Sequence, residues 1–169
     1  KAVPGTLKEA ITDAIKTWTT NPDFAYICGS VVSSHPFPKI VAFAQSIIGR
    51  EIREQSLEQE GKLPDMIVGC VGGGSNFAGA IYDFLDEPSV SKIGVEASET
   101  AALSNGTPGI MQEMKTYMLQ TDDGAKSLGG MSLGAGITYF SVGPLHSYLK
   151  DQKAVTYSSA TDQEMLEAY

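Results

Sequence analysis

Residues 65–79 read Asp-Met-Ile-Val-Gly-Cys-Val-Gly-Gly-Gly-Ser-Asn-Phe-Ala-Gly, and this stretch decides the fold. An apolar run from Met66 to Val71 ends in three glycines, and a helical pattern of apolar residues begins after Asn76. A short apolar run with a glycine turn and a helix start is typical of a buried parallel strand that turns back over its sheet. Glycines leave backbone N–H groups accessible, and a helix N-terminus adds unpaired donors. The stretch therefore predicts a loop that binds a phosphate group.

Two nucleotide-binding motifs share features with this loop, but neither is complete. The P-loop pattern needs a lysine where Ser75 stands, so that motif is absent. The dinucleotide pattern is met at Gly72 and Gly74 but has Phe77 at its third glycine position. Glu96 follows at about the distance of a ribose-binding carboxylate. Dinucleotide binding, and a tight strand–helix turn without any ligand, therefore stay open as alternatives.

The composition is that of a globular chain of 169 residues, 42% hydrophobic and 19% charged. A formal charge of −8, with only 12 Lys plus Arg, argues against nucleic-acid binding, which needs a basic surface. No apolar run approaches the ~18 residues of a membrane span, so we expect no membrane insertion. Cys28 and Cys70 lie in apolar, strand-like runs, which predicts buried, reduced thiols in a cytoplasmic protein and no zinc site.

Helical and strand-like patterns alternate along the chain, which favours a parallel α/β sheet in one domain over residues 1–169. Predicted helices cover residues 6–19, 38–60, 77–85 and 144–149, and a last helix starts at Thr161 with a capping-box sequence. Predicted strands cover residues 24–28, 66–71, 91–96 and 154–158. Thr6 and Gly61 are the predicted N-cap of the first helix and C-cap of the second.

The segment 97–136 is rich in glycine and breaks into short pieces. Residues 116–121 have the composition of a strand, and Asp122-Asp-Gly124 predicts a turn after it. Both a functional loop region and a peripheral hairpin fit this pattern.

A series of short segments identifies a family. They are Thr6-Leu-Lys-Glu-Ala10, Gly29-Ser30 with His35-Pro-Phe-Pro38, Leu63-Pro-Asp65 with Val71-Gly-Gly-Gly-Ser-Asn76, Ile93-Gly-Val-Glu96, Met118-Leu-Gln-Thr-Asp-Asp-Gly124, and Ser141-Val-Gly-Pro144 with His146-Ser-Tyr-Leu149. In this order, and over essentially the whole chain, they resemble the tryptophan synthase β chains. Gly-Gly-Gly-Ser-Asn is shared by several pyridoxal-phosphate enzymes of the same fold type, whereas His-Pro-Phe-Pro and Ser-Val-Gly-Pro make the resemblance specific to this family.

The resemblance implies a three-layer, Rossmann-like α/β domain with a parallel sheet, from a fold-type II pyridoxal 5′-phosphate enzyme. It also implies the β-replacement reaction that joins L-serine and indole into L-tryptophan. By the matching positions, the cofactor phosphate is expected on Gly72, Gly73, Gly74, Ser75, Asn76 and Ser30. Residues 1–30 resemble the second part of the family's communication domain, and residues 31–169 resemble its C-terminal-half cofactor domain.

The same resemblance implies that no catalytic residue lies in this segment. The family's cofactor lysine follows a histidine and precedes the position of Thr6, and no Lys of this sequence follows a His. The family's glutamate beside the cofactor ring, and the serine that bonds the pyridine nitrogen, belong after Tyr169. We therefore expect a central fragment, truncated at both ends, that is inactive alone because it has neither the nucleophile nor the base of the reaction.

Two positions depart from the family pattern. Thr138 stands where the family has an Asp that contacts the serine hydroxyl, and Gln112 replaces an aromatic residue that lines the indole pocket. A neutral Thr can still form hydrogen bonds but cannot act as a carboxylate, and a polar amide would solvate an apolar ring pocket, which makes indole a less certain acceptor. Because of both changes, the identity of the substrates stays open.

Further ligands and partners are implied by the resemblance alone. They are a monovalent cation near Glu96 and Tyr139, and, in the intact protein, a homodimer and a tryptophan synthase α chain.

Two other functions stay open beside the family's own reaction. One is a related fold-type II enzyme, such as a serine/threonine dehydratase or a β-replacement enzyme with another acceptor. The other is a non-catalytic module that binds a phosphate-bearing ligand or a partner chain. His35 in its proline-flanked turn and His146 on a predicted helix are expected to be structural rather than acid–base groups.

Overall fold

The structure is a computed structural model that describes residues 7–123 and 130–169. Its α-helices are α1 (Leu7–Thr20), α2 (Phe37–Gln45), α3 (Ile47–Glu60), α4 (Ser75–Tyr82), α5 (Ala102–Asn105), α6 (Pro144–Asp151) and α7 (Asp162–Ala168). Its strands are β1 (Met66–Cys70), β2 (Ser91–Ala97), β3 (Thr107–Met111), β4 (Met114–Met118) and β5 (Thr156–Ala160). The predicted cap Thr6 and the predicted turn at Gly124 lie outside the described residues.

A parallel sheet with the strand order β1-β2-β5 forms the centre of the described fold. Cys70 at the end of β1 lies beside Val95, and Val95 lies beside Ser158, so the carboxyl ends of the three strands meet at one edge. The chain runs from β1 through α4 to β2, which is the predicted βαβ unit. The glycine loop therefore lies at the carboxyl edge of the sheet, where open α/β sheets bind ligands.

The main core fills the space between α4, the sheet and α6. Phe77 and Ile81 are four residues apart on one face of α4, and both are 1% exposed. The other buried members of this cluster are Ile67, Val71, Phe84, Val90, Leu103, Val142, Leu149 and Val155. Burying a large apolar side chain contributes roughly 1.5–3 kcal/mol, so this cluster fixes α4 and the glycine loop before it.

Strands β3 and β4 form an antiparallel hairpin, so the hairpin interpretation of the glycine-rich segment is confirmed. Its turn consists of Gln112 and Glu113, with φ values of 48° and 65°. A two-residue hairpin turn of type I′ needs left-handed residues at both positions and usually contains Asn or Gly there. The hairpin packs through Met111, Met114 and Met118 on a second cluster.

Two predictions about regular structure are wrong. Residues 24–28 form no strand; Phe24 is 57% and Ile27 92% exposed, because this apolar run pairs with none of the described strands. The predicted helix 38–60 is two helices, broken at Ser46. The backbone N–H and the hydroxyl of Ser46 both donate to the Phe43 carbonyl, at 3.2 and 2.7 Å, which interrupts the helical hydrogen-bond ladder.

Glycines at two positions allow α2 and α3 to lie close to α4. A Cβ on Gly49 would lie 2.8 Å from the Gly79 carbonyl oxygen, and a Cβ on Gly79 would lie 2.4 Å from that of Gln45. The helices approach this closely only because both positions are glycine.

Local signals at helix ends agree with the structure. Gly61 has a φ of 71° and caps α3, and Thr161 with Glu164 forms the predicted capping box of α7. None of the helices in the described residues is long and apolar enough to cross a membrane.

Candidate functional site

A cavity of about 550 Å³, which we call the glycine-loop cavity, opens at the carboxyl end of β1. Its lining contains the glycine loop with the start of α4, the turn 135–139, and single residues from α1 and the segment after it. The lining residues are Ile11, Ser30, Val32, Cys70, Gly72, Gly73, Gly74, Ser75, Asn76, Ala135, Gly136, Ile137, Thr138 and Tyr139. The structure therefore brings together all six residues predicted to hold a cofactor phosphate, and it adds Thr138 and Tyr139.

The three glycines of the loop have close neighbours, which are backbone at Gly72, side chains at Gly73 and a buried ring at Gly74. A Cβ on Gly72 would lie 2.7 Å from the Cα of Ile137, and a Cβ on Gly73 would lie 2.9 Å from a methyl carbon of Val32. Gly74 has a φ of 99°, in the left-handed region that favours glycine. The backbone itself therefore forms this wall of the cavity.

Hydrogen-bond donors converge on the glycine-loop cavity. Helix α4 starts at Ser75, so the N–H groups of its first turn have no intrahelical acceptor, and Gly74 provides no side-chain cap. Ser30 Oγ accepts the N–H of Val32 at 3.0 Å and still has its own proton to donate. None of the described lining residues has a charged side chain. An anion in this cavity is held by neutral donors and the helix dipole.

Cys70 is exposed, and Cys28 is only partly buried, so the prediction of two buried thiols is wrong. Cys70 lies at the end of β1 and lines the cavity, where the Asn76 side-chain amide is 3.4 Å from its Sγ. The apolar composition around Cys70 did not reveal that β1 ends there at a cavity. Both thiols are free, as predicted.

His146 lies behind the glycine loop and is completely buried. Its Nε2 is 2.7 Å from the Gly74 carbonyl oxygen, and its Nδ1 is 2.8 Å from Tyr157 Oη. The ring also stacks on Phe77, with a centroid distance of 5.9 Å. Burial lowers the pKa of His146 to about 4, opposed by its hydrogen bond to Gly74, so the imidazole is neutral at pH 7. Gly74 and Tyr157 are far from His146 in sequence, so no local pattern indicated these contacts.

Thr138 lines the cavity at the end of the turn 135–139. Its hydroxyl donates to the Gly134 carbonyl oxygen at 3.1 Å, which closes this turn. Its oxygen accepts the Ser132 N–H at 3.4 Å, and with its proton engaged the hydroxyl can offer a ligand an acceptor more readily than a donor.

Gln112 lies in a second cavity, of about 410 Å³, which we call the aromatic cavity. Trp18, Tyr26 and Phe37 line it; Tyr26 stacks on Trp18 and meets Phe37 edge-on, each at 5.4 Å between ring centroids. Tyr139 of the glycine-loop cavity donates to Gln112 Oε1 at 3.4 Å, so the two cavities meet at this pair. The Nε2 of Gln112 is buried without a partner among the described residues.

Glu96 is 2% exposed and does not line either cavity in the described part of the chain. Its carboxylate accepts the N–H groups of Leu103 and Ser104 and the hydroxyl of Ser104, all at 2.8 Å. Burial raises the pKa of Glu96, and these hydrogen bonds oppose the shift. The carboxylate thus holds the start of α5. Among residues 7–123 and 130–169, no cluster of three or more His, Cys, Asp or Glu side chains suits a metal ion.

The sequence is similar to curated bacterial proteins. It is 44% identical over 174 aligned positions to the tryptophan synthase β chain of Pseudomonas syringae pv. tomato, and 46% identical over 175 to that of Ruegeria pomeroyi. Each alignment covers 98% of this chain and 42% of the relative, so the chain spans less than half the length of these proteins. No model of a protein family matches the sequence.

Two solved structures share the fold at low sequence identity. A T.th. threonine deaminase has a TM-score of 0.54 and 18% identity, over 76% of this chain and 43% of that one. Maize serine racemase has a TM-score of 0.50 and 16% identity, over 75% and 35%. The predicted parallel α/β fold is thereby confirmed. Over the segment that it shares with these bacterial relatives, the chain is similar to tryptophan synthase β chains.

Proposed function

We propose that this chain provides the cofactor-phosphate site of a pyridoxal 5′-phosphate-dependent lyase that makes L-tryptophan from L-serine and indole. One observation carries the proposal: Ser30 and residues 72–76, separated by about forty positions, line one cavity together. The similarity to tryptophan synthase β chains supports the same proposal.

The residues of the glycine-loop cavity fit a phosphate group. The glycines leave the backbone N–H groups uncovered, and the first turn of α4 adds unpaired donors and the positive end of the helix dipole. Ser30 and Ser75 hydroxyls and the Asn76 amide add side-chain donors around the same loop. Pyridoxal phosphate, when bound, supplies the electron sink for chemistry at the Cα of an amino acid.

The chain's own role is binding and orientation. The loop holds the phosphate and thereby fixes where the rest of the cofactor extends. Thr138 offers an acceptor on the opposite lining segment, where a substrate hydroxyl can bond to it. We assign no catalytic residue within these 169 positions, and we propose that the chain by itself catalyses no turnover.

Binding of pyridoxal phosphate to the chain tests the proposal. We expect saturable binding that Gly73→Asp abolishes, because a carboxylate there repels the phosphate and occupies its place. Gly73→Ala is the matched control, since its added methyl meets only the side chains of Val32 and Ser30. Equal affinity of the Asp and Ala variants for the cofactor would overturn the proposal.

A second candidate function is β-replacement with an acceptor substrate other than indole. Gln112 places a buried amide N–H donor, without a partner in the described residues, in the aromatic cavity. A second substrate that carries an oxygen or nitrogen able to accept a hydrogen bond satisfies this N–H donor. An apolar ring leaves the donor unpaired. Product analysis of the full-length protein, with serine and with or without indole, separates tryptophan formation from replacement with another acceptor and from dehydration.

The remaining expectations concern the intact protein. We propose a homodimer that also docks a tryptophan synthase α chain, a monovalent cation near Glu96 and Tyr139, and a cytoplasmic location. Sedimentation of the full-length protein with and without an α chain, and turnover in sodium, potassium or large organic cations, test the first two.

A further inference from the structure

In the buried hydrogen bond between His146 and the glycine loop, the chemistry of the two groups determines which one donates. A carbonyl oxygen only accepts, so the His146 nitrogen that lies 2.7 Å from the Gly74 oxygen must carry the ring proton. That nitrogen is Nε2, which leaves the Nδ1 of a neutral ring as an acceptor. Tyr157 Oη, at 2.8 Å, is then the donor to Nδ1. Protons therefore point in one direction, from Tyr157 through His146 to Gly74.

This chain of bonds connects the sheet to the loop. Tyr157 lies on β5, and its ring packs over Gly94 of β2, where a Cβ would be only 2.7 Å away. His146 is on α6, between Phe77 on one side and Tyr157 on the other. A Cβ on Gly74 would lie 2.2 Å from the His146 ring, so ring and loop are in direct contact.

The bond acts on the peptide that separates Gly74 from Ser75. A peptide is planar, so holding the Gly74 carbonyl toward His146 directs the following N–H, that of Ser75, the opposite way. A second bond, from the Gly143 N–H to the Gly73 carbonyl at 3.0 Å, holds the preceding peptide in the same manner. With both carbonyls bound behind the loop, its N–H groups are left for the cavity.

We propose that His146, oriented by Tyr157, is a positioning residue that aims the N–H donors of the glycine loop at the bound phosphate. It acts through Gly74 and touches no ligand, since it is completely buried behind the loop. The inference rests on the proposed function for its ligand, but its structural part stands on the contacts above.

The experiment compares three variants of the chain by titration with pyridoxal phosphate and, separately, with pyridoxal, which has no phosphate. His146→Leu removes one of the two donors to the Gly74 carbonyl and leaves the Ala78 N–H, which donates to it at 2.8 Å. We expect about tenfold weaker binding of pyridoxal phosphate with little change for pyridoxal. His146→Gln returns an amide N–H near the position of Nε2 and should restore affinity to within about threefold. Tyr157→Phe should give an intermediate loss, because the ring keeps its proton but loses its orientation.

A second readout follows the proton itself. The sequence has two histidines, so ¹⁵N-histidine labelling gives two sets of ring-nitrogen signals, and His35→Gln identifies the set from His146. We expect the proton on Nε2 in the wild-type chain. Amide hydrogen exchange over residues 72–76 should be faster in His146→Leu than in His146→Gln.

The results of these experiments support or overturn the positioning role of His146 as follows. Tenfold loss in His146→Leu with rescue by His146→Gln supports the inference, and unchanged affinity in both overturns it, as does a ring proton on Nδ1. If His146→Leu does not fold, the Gln and Phe variants and the ring signals decide. If the wild-type chain binds neither pyridoxal phosphate nor pyridoxal, the proposed function fails, whereas the proton position and the amide exchange still test the positioning role.

Discussion

The glycine-loop cavity and the aromatic cavity meet at Tyr139 and Gln112, yet they are built in different ways. The wall of the first is backbone, held in place from behind by His146 and Gly143. The second is lined by residues from three separate segments: α1, residues 26–37 up to the start of α2, and the β3–β4 hairpin with the residues just after it. The loop of the first cavity is sterically constrained at Gly72 and Gly74, and the second cavity is constrained mainly by the shape of its side chains.

This difference bears on one of the two departures from the family pattern, Gln112, since the other, Thr138, lines the glycine-loop cavity. No side chain fits at Gly72 or Gly74, so the loop retains its motif or loses its geometry. In the aromatic cavity, Gln112 departs from the predicted family pattern, while Tyr26 stacks on Trp18 and packs edge-on against Phe37. A wall made of backbone is thus the more recognisable in sequence, and a wall made of side chains is the more adaptable.

The largest expected effect is on the backbone wall. Gly74→Ala places a Cβ at a φ of 99° and within 2.3 Å of two atoms of the His146 ring. Strain at the backbone and overpacking of a buried ring add up to a loss of roughly 4 kcal/mol in the free energy of unfolding. Gly136→Ala is the control from the same cavity. A Cβ there has no atom within 4 Å, so we expect a change within about 0.5 kcal/mol. Urea denaturation measures both, and similar values for the two would contradict the comparison.

The next prediction concerns the pH dependence of stability that arises from His146, which supports the glycine loop from behind. The pKa of His146 is about 4 in the folded chain and 6.5 when exposed, so the unfolded chain binds a proton more readily. Above pH 6.5 the ring is neutral in both states and the pKa difference has no effect. Between pH 6.5 and about 4, stability falls by about 3 kcal/mol through this group, and below that range the loss stops growing.

Unfolding by urea at several pH values checks this behaviour. The carboxylates of the chain also titrate near pH ~4, so the comparison is with His146→Gln under the same conditions. The difference between the two curves isolates the histidine. Parallel curves for wild type and His146→Gln from about pH 7 to about 4.5 would show that the ring is not held neutral.

Much of the fold and the candidate site was predictable because its signals are local. The strand–glycine–helix stretch, the C-cap at Gly61 and the capping box at Thr161 each depend on neighbours within a few residues. The glycine loop was found the same way, and the family's motifs added Ser30, which lies far from the loop in sequence.

The features that the sequence did not predict depend on distant partners. Residues 24–28 have the composition of a strand, but a strand also needs a neighbouring edge, and Tyr26 packs on Trp18 and Phe37 instead. His146 meets Gly74 across 72 positions, so nothing in its own segment indicated a role at the loop. The break at Ser46 reflects a hydroxyl competing with the helix backbone, which composition does not foretell.

A smaller effect tests the adaptable cavity. Gln112→Gly should stabilise the chain by roughly 1 kcal/mol, because glycine accepts a φ of 48° without strain and the unpartnered Nε2 is removed. Lys115→Gly, on the exposed face of β4, is the control and should destabilise by roughly 0.5–1 kcal/mol, as glycine does within strands. Thermal and urea unfolding measure both changes. Destabilisation by Gln112→Gly would mean that the amide holds the hairpin turn in place.

The smallest expected effect lies at the point where the two cavities meet. The hydrogen bond from Tyr139 to Gln112 is long, at 3.4 Å, so a double-mutant cycle of Tyr139→Phe with Gln112→Ala should give a coupling energy below about 0.5 kcal/mol. Thr116 and Ser147 provide the contrast, since their hydroxyls lie 2.7 Å apart in a buried network. Their cycle, Thr116→Val with Ser147→Ala, should couple by about 1 kcal/mol or more. A weak coupling between Tyr139 and Gln112 allows the lining of each cavity to change independently. A coupling as strong as that of the buried pair would mean that the aromatic cavity and the glycine-loop cavity respond to substitution as one unit.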